Sequence, residues 1–533
     1  MKRSVKTQTV IHAALVTLAS LLLYTLTLAP TVLWGDDAEL QRLAVLNQPG
    51  VSFRTYRLWI AVTHIFTELP FGDPAWRVNF ATACYAALTI GLVFTILRVL
   101  NCSIVDSWAG SAALAISHTF WLHAVRTEVY SFFLLLMAAA LLQLLAWNRN
   151  PARWWLLFTG LFVVGVSFHA HLLIVTLLPA LMVLIAGTRP RSPAVVYVLA
   201  LAAVTAGYLL LGPAGESTTV LSSVGSVIAG LLSLGARDLA LWVGFLGYQF
   251  MLLAPLGIVG LFYHWKVERL LFWVLLLAFG GNVLFVLSFH VIDQYVFYLP
   301  SYLVFALWIG VGLQSARTHI PHRPKRLSTA VVVALLFAVV VYRLVPQALN
   351  QLRFSPVSVR TLPYRDNNLF FLYPPKNGYD GARQFGVAVM EILPLDAALL
   401  VDHLPQQTLL YLQAVESIRS DIIMTSTDVS SGQLNWLLEQ SESRPVFLAD
   451  DESYYDMVHI ADWFDIIPFG LIYRLERKTQ PLACSQTMLP CPVHAIIASG
   501  FAGAGETWVQ YAAINCSLHR ARSGCTLAQG KFR

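Results

Sequence analysis

Three carboxylates, Asp36, Asp37 and Glu39, stand together in "PTVLWGDDAEL", directly after Val10–Ala29, an apolar stretch long enough to cross a bilayer. A carboxylate held at a membrane exit can take a proton from a hydroxyl, and it can also start a helix. Asp36 and Glu39 have the spacing of a capping box, in which Asp36 accepts from the Glu39 amide while Glu39 reaches back. The helix so started, Asp37 to Leu46, is apolar at Leu40, Leu43 and Leu46 and stopped by "NQPG"; it is expected to lie along the membrane surface. Acids in its first turn suit the positive end of its dipole. Both readings stay open on the residues alone, since a helix start is a rigid place to hold a base.

Other ionisable groups recur at the ends of later apolar stretches. Arg54 and Arg57 follow the acidic helix, and Arg126 and Glu128 precede Val129. His169 and His171 alternate in "SFHAHLLIV". Such a pair could bind metal, but alternate residues of a helix point to different faces, which favours an interhelical hydrogen bond. Asp293 and Tyr298 in "IDQYVFYLP" form a further cluster, and an acid near the membrane interface is a functional candidate by default.

The elements that must position these groups follow from composition. With 57% hydrophobic and only 12% charged residues, the chain is far more apolar than a water-soluble protein. We expect a polytopic α-helical membrane protein of about eleven spans, each needing roughly 20 apolar residues. The expected segments are Val10–Ala29, Trp76–Leu100, Trp108–Val125, Val129–Trp147, Trp154–Phe168, Leu172–Ala186, Ala194–Leu211, Leu239–Tyr263, Leu270–Val291, Tyr295–Leu313 and Thr329–Val345. Arg149 and Arg153, Arg189 and Arg191, Lys266 and Arg269, and the run from Arg317 to Arg326 fall in alternate short loops. With the basic start "MKRSVK", this bias places the N-terminus in the cytoplasm and the Asp36, Glu128 and Asp293 loops on the opposite face of a plasma (inner) membrane. The excess of positive charge is thereby explained, and no nucleic-acid partner is called for.

Domain boundaries are expected near 346 and 480: a membrane domain over 1–346, an external α/β domain over 347–480, and a cysteine-containing tail over 481–533. From about Pro363 the apolar runs shorten. "GARQFGVAVMEI", "QTLLYLQAV" and "GQLNWLLEQ" read as helices, while "AALLVD", "DIIMTS" and "RPVFLAD" read as strands. Alternation of this kind favours a small α/β layer with a partly parallel sheet. Asp402 and Asp450 would then end two strands, where such sheets bind ligands and where Asp is also a common turn or cap residue. Cys484, Cys491, Cys516 and Cys525 in the tail could form two external disulfides with three possible pairings. Cys84 and Cys102 read as ordinary thiols.

"LTLAPTVLWGDDAEL", "ELPFGDPAWRVNFATACYAAL" and "HTFWLHAVRTEVYSFFLLL" resemble the membrane family whose signature is GDSGEL, followed by PFGDPAWRVN and an EVY motif. That family includes an animal protein O-mannosyltransferase and belongs to the GT-C glycosyltransferases. The likeness covers the first 150 or so residues, and "GARQFGVAVMEILPLDAALLVD" resembles the start of the soluble region in some members. It implies an inverting enzyme that moves a sugar from a polyprenyl-phosphate donor to a protein, lipid or glycan acceptor on the non-cytoplasmic face. Asp36 and Glu39 match the family's Asp and Glu; Asp37 stands where the family has Ser, Ala38 where it has Gly, and "SFRTYRLW" replaces its His-Pro-Pro-Gly.

Such a transfer needs a base for the acceptor hydroxyl and a cation for the departing phosphate. Asp36 is the expected base, with Asp37, Glu39 and Glu128 as further catalytic candidates. Arg54, Arg57 and Arg126 are the expected phosphate holders. Glu128 matches the EVY motif, orienting the acceptor, helping to hold a divalent ion or capping its helix. These acids are compatible with a divalent cation but do not by themselves call for any cofactor, and membrane lipids and the lipid-linked donor are the expected partners. His169, His171, Asp293 and Tyr298 would line the substrate pocket. The competing class is a multi-span transporter or lipid flippase, which places its ionisable groups near the bilayer midplane in repeated halves. Here they gather at one interface, and Gln249 and Asn282 are the main mid-span polar groups.

Overall fold

The structure is a computed structural model, and it describes residues 2–48, 56–189, 194–209, 229–288, 291, 293–320, 324–356, 359–429 and 432–478. Arg54 and the four late cysteines lie outside the described residues.

Each of the eleven expected apolar segments is mainly helical where it is described, with non-helical residues at some ends and at internal breaks. Seven helices among the described residues are long and apolar enough to cross a membrane: Thr7–Leu26, Pro74–Val99, Tyr130–Arg149, Ala236–Val267, Arg269–Leu287, Leu299–His319 and Pro324–Gln351. Three shorter apolar stretches, Trp154–Ser167, Leu172–Gly187 and Tyr197–Ala206, accompany them. The count differs from eleven because three of the expected segments form these shorter helices and one is broken. The run Trp108–Val125 is two helices, Ile104–Ala115 and His118–Ala124. The amides freed at the break find partners on distant helices: His118 donates to the Tyr342 hydroxyl (3.1 Å) and Thr119 to Oε1 of Gln249 (2.8 Å). An apolar core tolerates such a break only when the freed groups are satisfied. Gln249 and Asn282 are thus occupied by neighbouring helices, since Asn282 donates to the Phe297 carbonyl (3.0 Å).

The soluble region carries a five-stranded sheet: β1 Ala398–Val401, β2 Ile423–Ser426, β3 Val446–Leu448, β4 Phe464–Phe469 and β5 Ile472–Arg477. Their order is β2-β1-β3-β5-β4, with β1 parallel to both neighbours and the β4–β5 hairpin antiparallel. The helices Gly381–Ile392, His403–Glu416 and Gln433–Gln440 flank it. The β4–β5 hairpin was not expected from the sequence.

The two regions are joined through the first loop. Ala29, Leu33 and Trp34 are buried in the same apolar cluster as Phe385, Leu399 and Phe447 of the soluble region. The Trp34 indole donates to the Tyr379 hydroxyl, Thr408 donates to the Leu33 carbonyl (2.8 Å), and the Lys376 amide to the Thr27 carbonyl (2.8 Å).

Candidate active site at the membrane exit

"PFGDPAWRVN" builds the platform. Asp73 caps the helix Pro74–Val99 by accepting from the Trp76 amide (2.8 Å), with Pro74 at the first helical position where its missing N–H costs nothing. Its other oxygen accepts from Thr31 (2.8 Å). One turn on, Asn79 is fully buried and joins three segments. It donates to the Ala29 carbonyl (3.0 Å) and accepts from Gln41 (3.0 Å) and from Thr127 (2.6 Å). Asn79 therefore fixes the acidic helix and the Arg126 loop against each other.

The acidic helix runs Asp36–Leu46, and the expected capping box is absent. Gly35 is the N-cap, with φ 56, and no side chain caps the helix. A side chain there would be strained, and its Cβ would stand 2.7 Å from Leu404, whose carbonyl accepts from the Gly35 amide (3.0 Å). The close approach of the soluble helix His403–Glu416 thus takes the cap's place. Nor does the helix present the polar face of a surface-lying helix, because Asp37, Glu39 and Gln41 are all buried.

Asp36 and Asp37 consequently point to different partners. Asp37 lies 1% exposed and takes both contacts of Arg126, at 2.9 Å and 2.8 Å. Arg126 also donates to Glu128 (3.1 Å), so Glu128 is ion-paired and does not cap the helix that follows. One guanidinium thus serves two buried carboxylates. Burial drives the Asp37 carboxyl up from 3.8 to about 6, against the opposing charge of Arg126. Burial likewise pushes Glu128 well above 4.5, and the charges of Asp37, Asp36 and Asp293 add to the rise. Burial alone would lower Arg126, but Asp37 and Glu128 outweigh it and hold the guanidinium charged.

Asp36, by contrast, is exposed, and its Oδ1 stands 2.9 Å from Nε2 of His403. That contact is the largest cause holding the imidazole above its ordinary value. Glu39 completes a group with Asp36 and His403 in which one ligand atom from each lies within 4.8 Å of the others.

The remaining expected residues divide. Asp293 is near enough to act on Glu128, and burial raises its own carboxyl. His171 packs on Tyr130 (5.2 Å between ring centres) and Tyr56 (6.3 Å) at the edge of the cluster. His169 is turned away and donates to the Tyr208 carbonyl (2.6 Å). Tyr298 is buried against Phe245 and Tyr302. Arg57 stands exposed at the first residue of its helix, outside the ion-paired cluster.

Four residues at or beside the cluster were not picked out by the sequence. His403 directly follows Asp402 and could have been reached from it; Asn79 and His123 lie inside the quoted motifs. His123 is 2% exposed, has no hydrogen-bond partner for either ring nitrogen among the described residues, and stands 3.8 Å from Glu128. Lys376 carried no signal. Its ammonium, buried behind Arg126, donates to the carbonyls of Tyr373 and Pro374 and lies 5.6 Å from the centre of Phe370, whose ring Arg126 also meets at 5.8 Å. Burial, then the charge of Arg126, holds it well below its ordinary value.

Apolar helices long enough to cross a membrane, an acid in the first loop and a soluble layer closing over it make up the polytopic fold that holds the site. Residues 41–193 match the family described as "Protein O-mannosyl-transferase TMEM260 N-terminal domain". ArnT from Cupriavidus metallidurans in the apo state is similar over 88% of this chain and 98% of its own, with TM-score 0.55 and 14% identity. The same enzyme bound to undecaprenyl phosphate matches over 88% of this chain and 97% of its own, with TM-score 0.50 and 14% identity. The fold class and the family resemblance expected from the motifs hold, and the likenesses support glycosyltransferase activity in a multi-pass integral membrane protein.

Proposed function

We propose that this chain transfers a sugar from a polyprenyl-phosphate-linked donor to an acceptor hydroxyl on the non-cytoplasmic face. The observation that carries the reading is the placing, by Asn79, of an exposed acid and a buried ion-paired cation side by side at the membrane exit. The match to an O-mannosyl-transferase domain and the undecaprenyl phosphate held by a protein of the same fold support the choice of chemistry.

Asp36 takes the acceptor's proton. Asp37 is committed to Arg126 and cannot readily do so, whereas Asp36 contacts His403 through Oδ1 alone and keeps Oδ2 for the hydroxyl. The acceptor oxygen attacks the anomeric carbon as the bond from that carbon to the phosphate breaks, and the electron pair leaves on the phosphate. Arg126 meets the developing charge, because guanidinium stays charged and binds phosphate in a fixed geometry. Arg57 is better placed to meet lipid headgroups. A divalent cation would find nitrogen and oxygen ligands in Asp36, Glu39 and His403, a set that suits first-row divalent metals.

The expected orientation gains support from contacts among the basic loops. Arg149 meets Glu268 (2.9 Å) and the Val99 carbonyl (3.2 Å), Asn148 meets Thr188 (2.8 Å), and Arg317 meets Ser328 (2.7 Å). Reporter fusions at Lys325 and Lys478 test it: Lys325 reports cytoplasmic and Lys478 external, and a cytoplasmic signal at Lys478 overturns it.

The transfer reading is tested with purified protein in liposomes, given polyprenyl phosphates carrying mannose or glucose and a mixed panel of peptide, lipid and glycan acceptors. Acceptor-dependent release of free polyprenyl phosphate, with the sugar recovered on the acceptor, is the expected result. Transport of the intact lipid-linked sugar across the bilayer without its cleavage would favour the flippase class instead.

A further inference from the structure

The sheet of the soluble region changes direction at one place. From β1 the chain passes through the helix His403–Glu416 to β2 on one side, then through Gln433–Gln440 to β3 on the other side of β1. Connections that leave neighbouring parallel strands in opposite directions open a crevice at the strands' carboxyl ends, the usual ligand position of an α/β sheet. Asp402 follows β1 and Asp450 lies just beyond β3, so both stand at this crevice.

Arg360 reaches in from outside the sheet and joins them, at 2.7 Å to Asp402 and 2.8 Å to Asp450, and it also donates to the Tyr454 hydroxyl. Tyr455 donates to the second oxygen of Asp402 (3.0 Å). Planar polar groups are thus held rigid. The Arg360 side chain is only 10% exposed, and its Nε is buried with no hydrogen-bond partner among the described residues. Beside it lies a cavity of about 400 Å³, whose walls include Arg360, Asp450 and Tyr473 on one part and Phe385, Pro405 and Leu471 on another. That volume falls within the range of about 300–1,000 Å³ in which small-molecule sites lie.

Charge narrows the occupant. Asp402 and Asp450 oppose the single cation Arg360, and Asp451 and Glu452 follow directly in the chain. A phosphate or other anion would be repelled. A cation would meet Arg360 already lying between the carboxylates. A neutral ring bearing hydroxyls suits both parts of the wall, because its hydroxyls can donate to Asp450 and accept from the guanidinium while its C–H face packs on the apolar side.

We propose that this crevice is a binding subsite for a neutral sugar unit, separate from the carboxylates at the membrane exit. The choice of a sugar among neutral hydroxyl-bearing ligands rests on the transferase reading above; the position of the site and its rejection of anions do not. The crevice and the exit are mechanically adjacent: Asp402 accepts from the Leu404 amide at the start of the helix whose first residue, His403, meets Asp36.

The test uses the full-length protein in nanodiscs and saturation-transfer NMR with methyl glycosides of mannose, glucose and galactose, with inorganic phosphate in a parallel binding measurement. At least one glycoside is expected to bind, and phosphate is not expected to compete with it. Asp450→Asn should weaken binding about tenfold, as expected for one lost charge-assisted hydrogen bond. Tyr473→Ala should also weaken it, with binding by both variants read per mole of correctly folded protein. Asp36→Asn should bind the glycoside as the parent does, so a failed transfer reaction and a failed subsite give different results. The proposal is overturned if no glycoside binds, if binding survives both Asp450→Asn and Tyr473→Ala, or if phosphate displaces the sugar.

Discussion

Asp36 and Asp37 are neighbours in the chain, yet one is exposed against a histidine of the soluble region and the other is sealed under an arginine of the second loop. A helix turns about 100° per residue, so adjacent side chains at a helix start face different surroundings. Among the described residues the first surrounding leaves one carboxylate oxygen without a hydrogen-bond partner, and the second leaves none. The resemblance read from the sequence sets Asp36 opposite the family's acid and Asp37 where the family has Ser; the matched residues 41–193 begin after both, and the structure gives the two acids different surroundings.

The largest expected effect separates the two acids. Asp36→Asn should lower sugar transfer by roughly 100- to 10,000-fold, the usual cost of losing a general base, with little change in melting temperature. Asp37→Asn should lose stability first and activity only in proportion to folded protein. Transfer rates normalised to correctly folded protein decide between them, and the reverse ranking would falsify the assignment of the base.

A second comparison sets the cation against its two acids. Arg126→Met leaves Asp37 and Glu128 buried without their partner, and breaking a buried pair in this way costs about 3–5 kcal/mol. Unfolding in detergent should show this as a large fall in stability. A variant as stable as the parent would mean that water already reaches the pair.

The smallest effect follows from pH. Glu128 titrates above its unfolded value because of burial, so its contribution to stability is complete below about 4.5 and is lost as pH rises through the raised value. Glu128→Gln should therefore melt higher than the parent at pH 8 and close to it at pH 4. Equal melting differences at both values would show that Glu128 does not titrate in this way.

Much of the fold was legible. Apolar runs marked the long helices of the membrane region but not Arg57–Thr67, and the strands β1, β2 and β3 were read from short apolar runs ending in Asp or Ser. The β4–β5 hairpin was not, because "FDIIPFGLIYRLER" carries a proline and only a single glycine at its turn. Breaks inside apolar runs were hidden for another reason: the groups that satisfy them, Tyr342 and Gln249, lie more than a hundred residues from His118 and Thr119. At the site, the acids and Arg126 were found from type and position. His403, Lys376 and the joining role of Asn79 depend on contacts between segments far apart in the chain, which no local spacing records.

The burial of Leu33 and Trp34 within the soluble region's core bears on how the protein is made. These residues leave the ribosome early, while their partners Phe385, Leu399 and Phe447 are synthesised more than three hundred residues later. Until then the first loop has an apolar tryptophan with nothing to cover it, and the acidic helix lacks the backbone contact at Leu404 that stands in for a cap. Contacts so distant in sequence form slowly and leave apolar surface open to mispairing meanwhile. The acidic helix and its loop therefore reach their final contacts only after the soluble region has been made, and a chain cut short before that region carries the acids without His403 or the Leu404 contact.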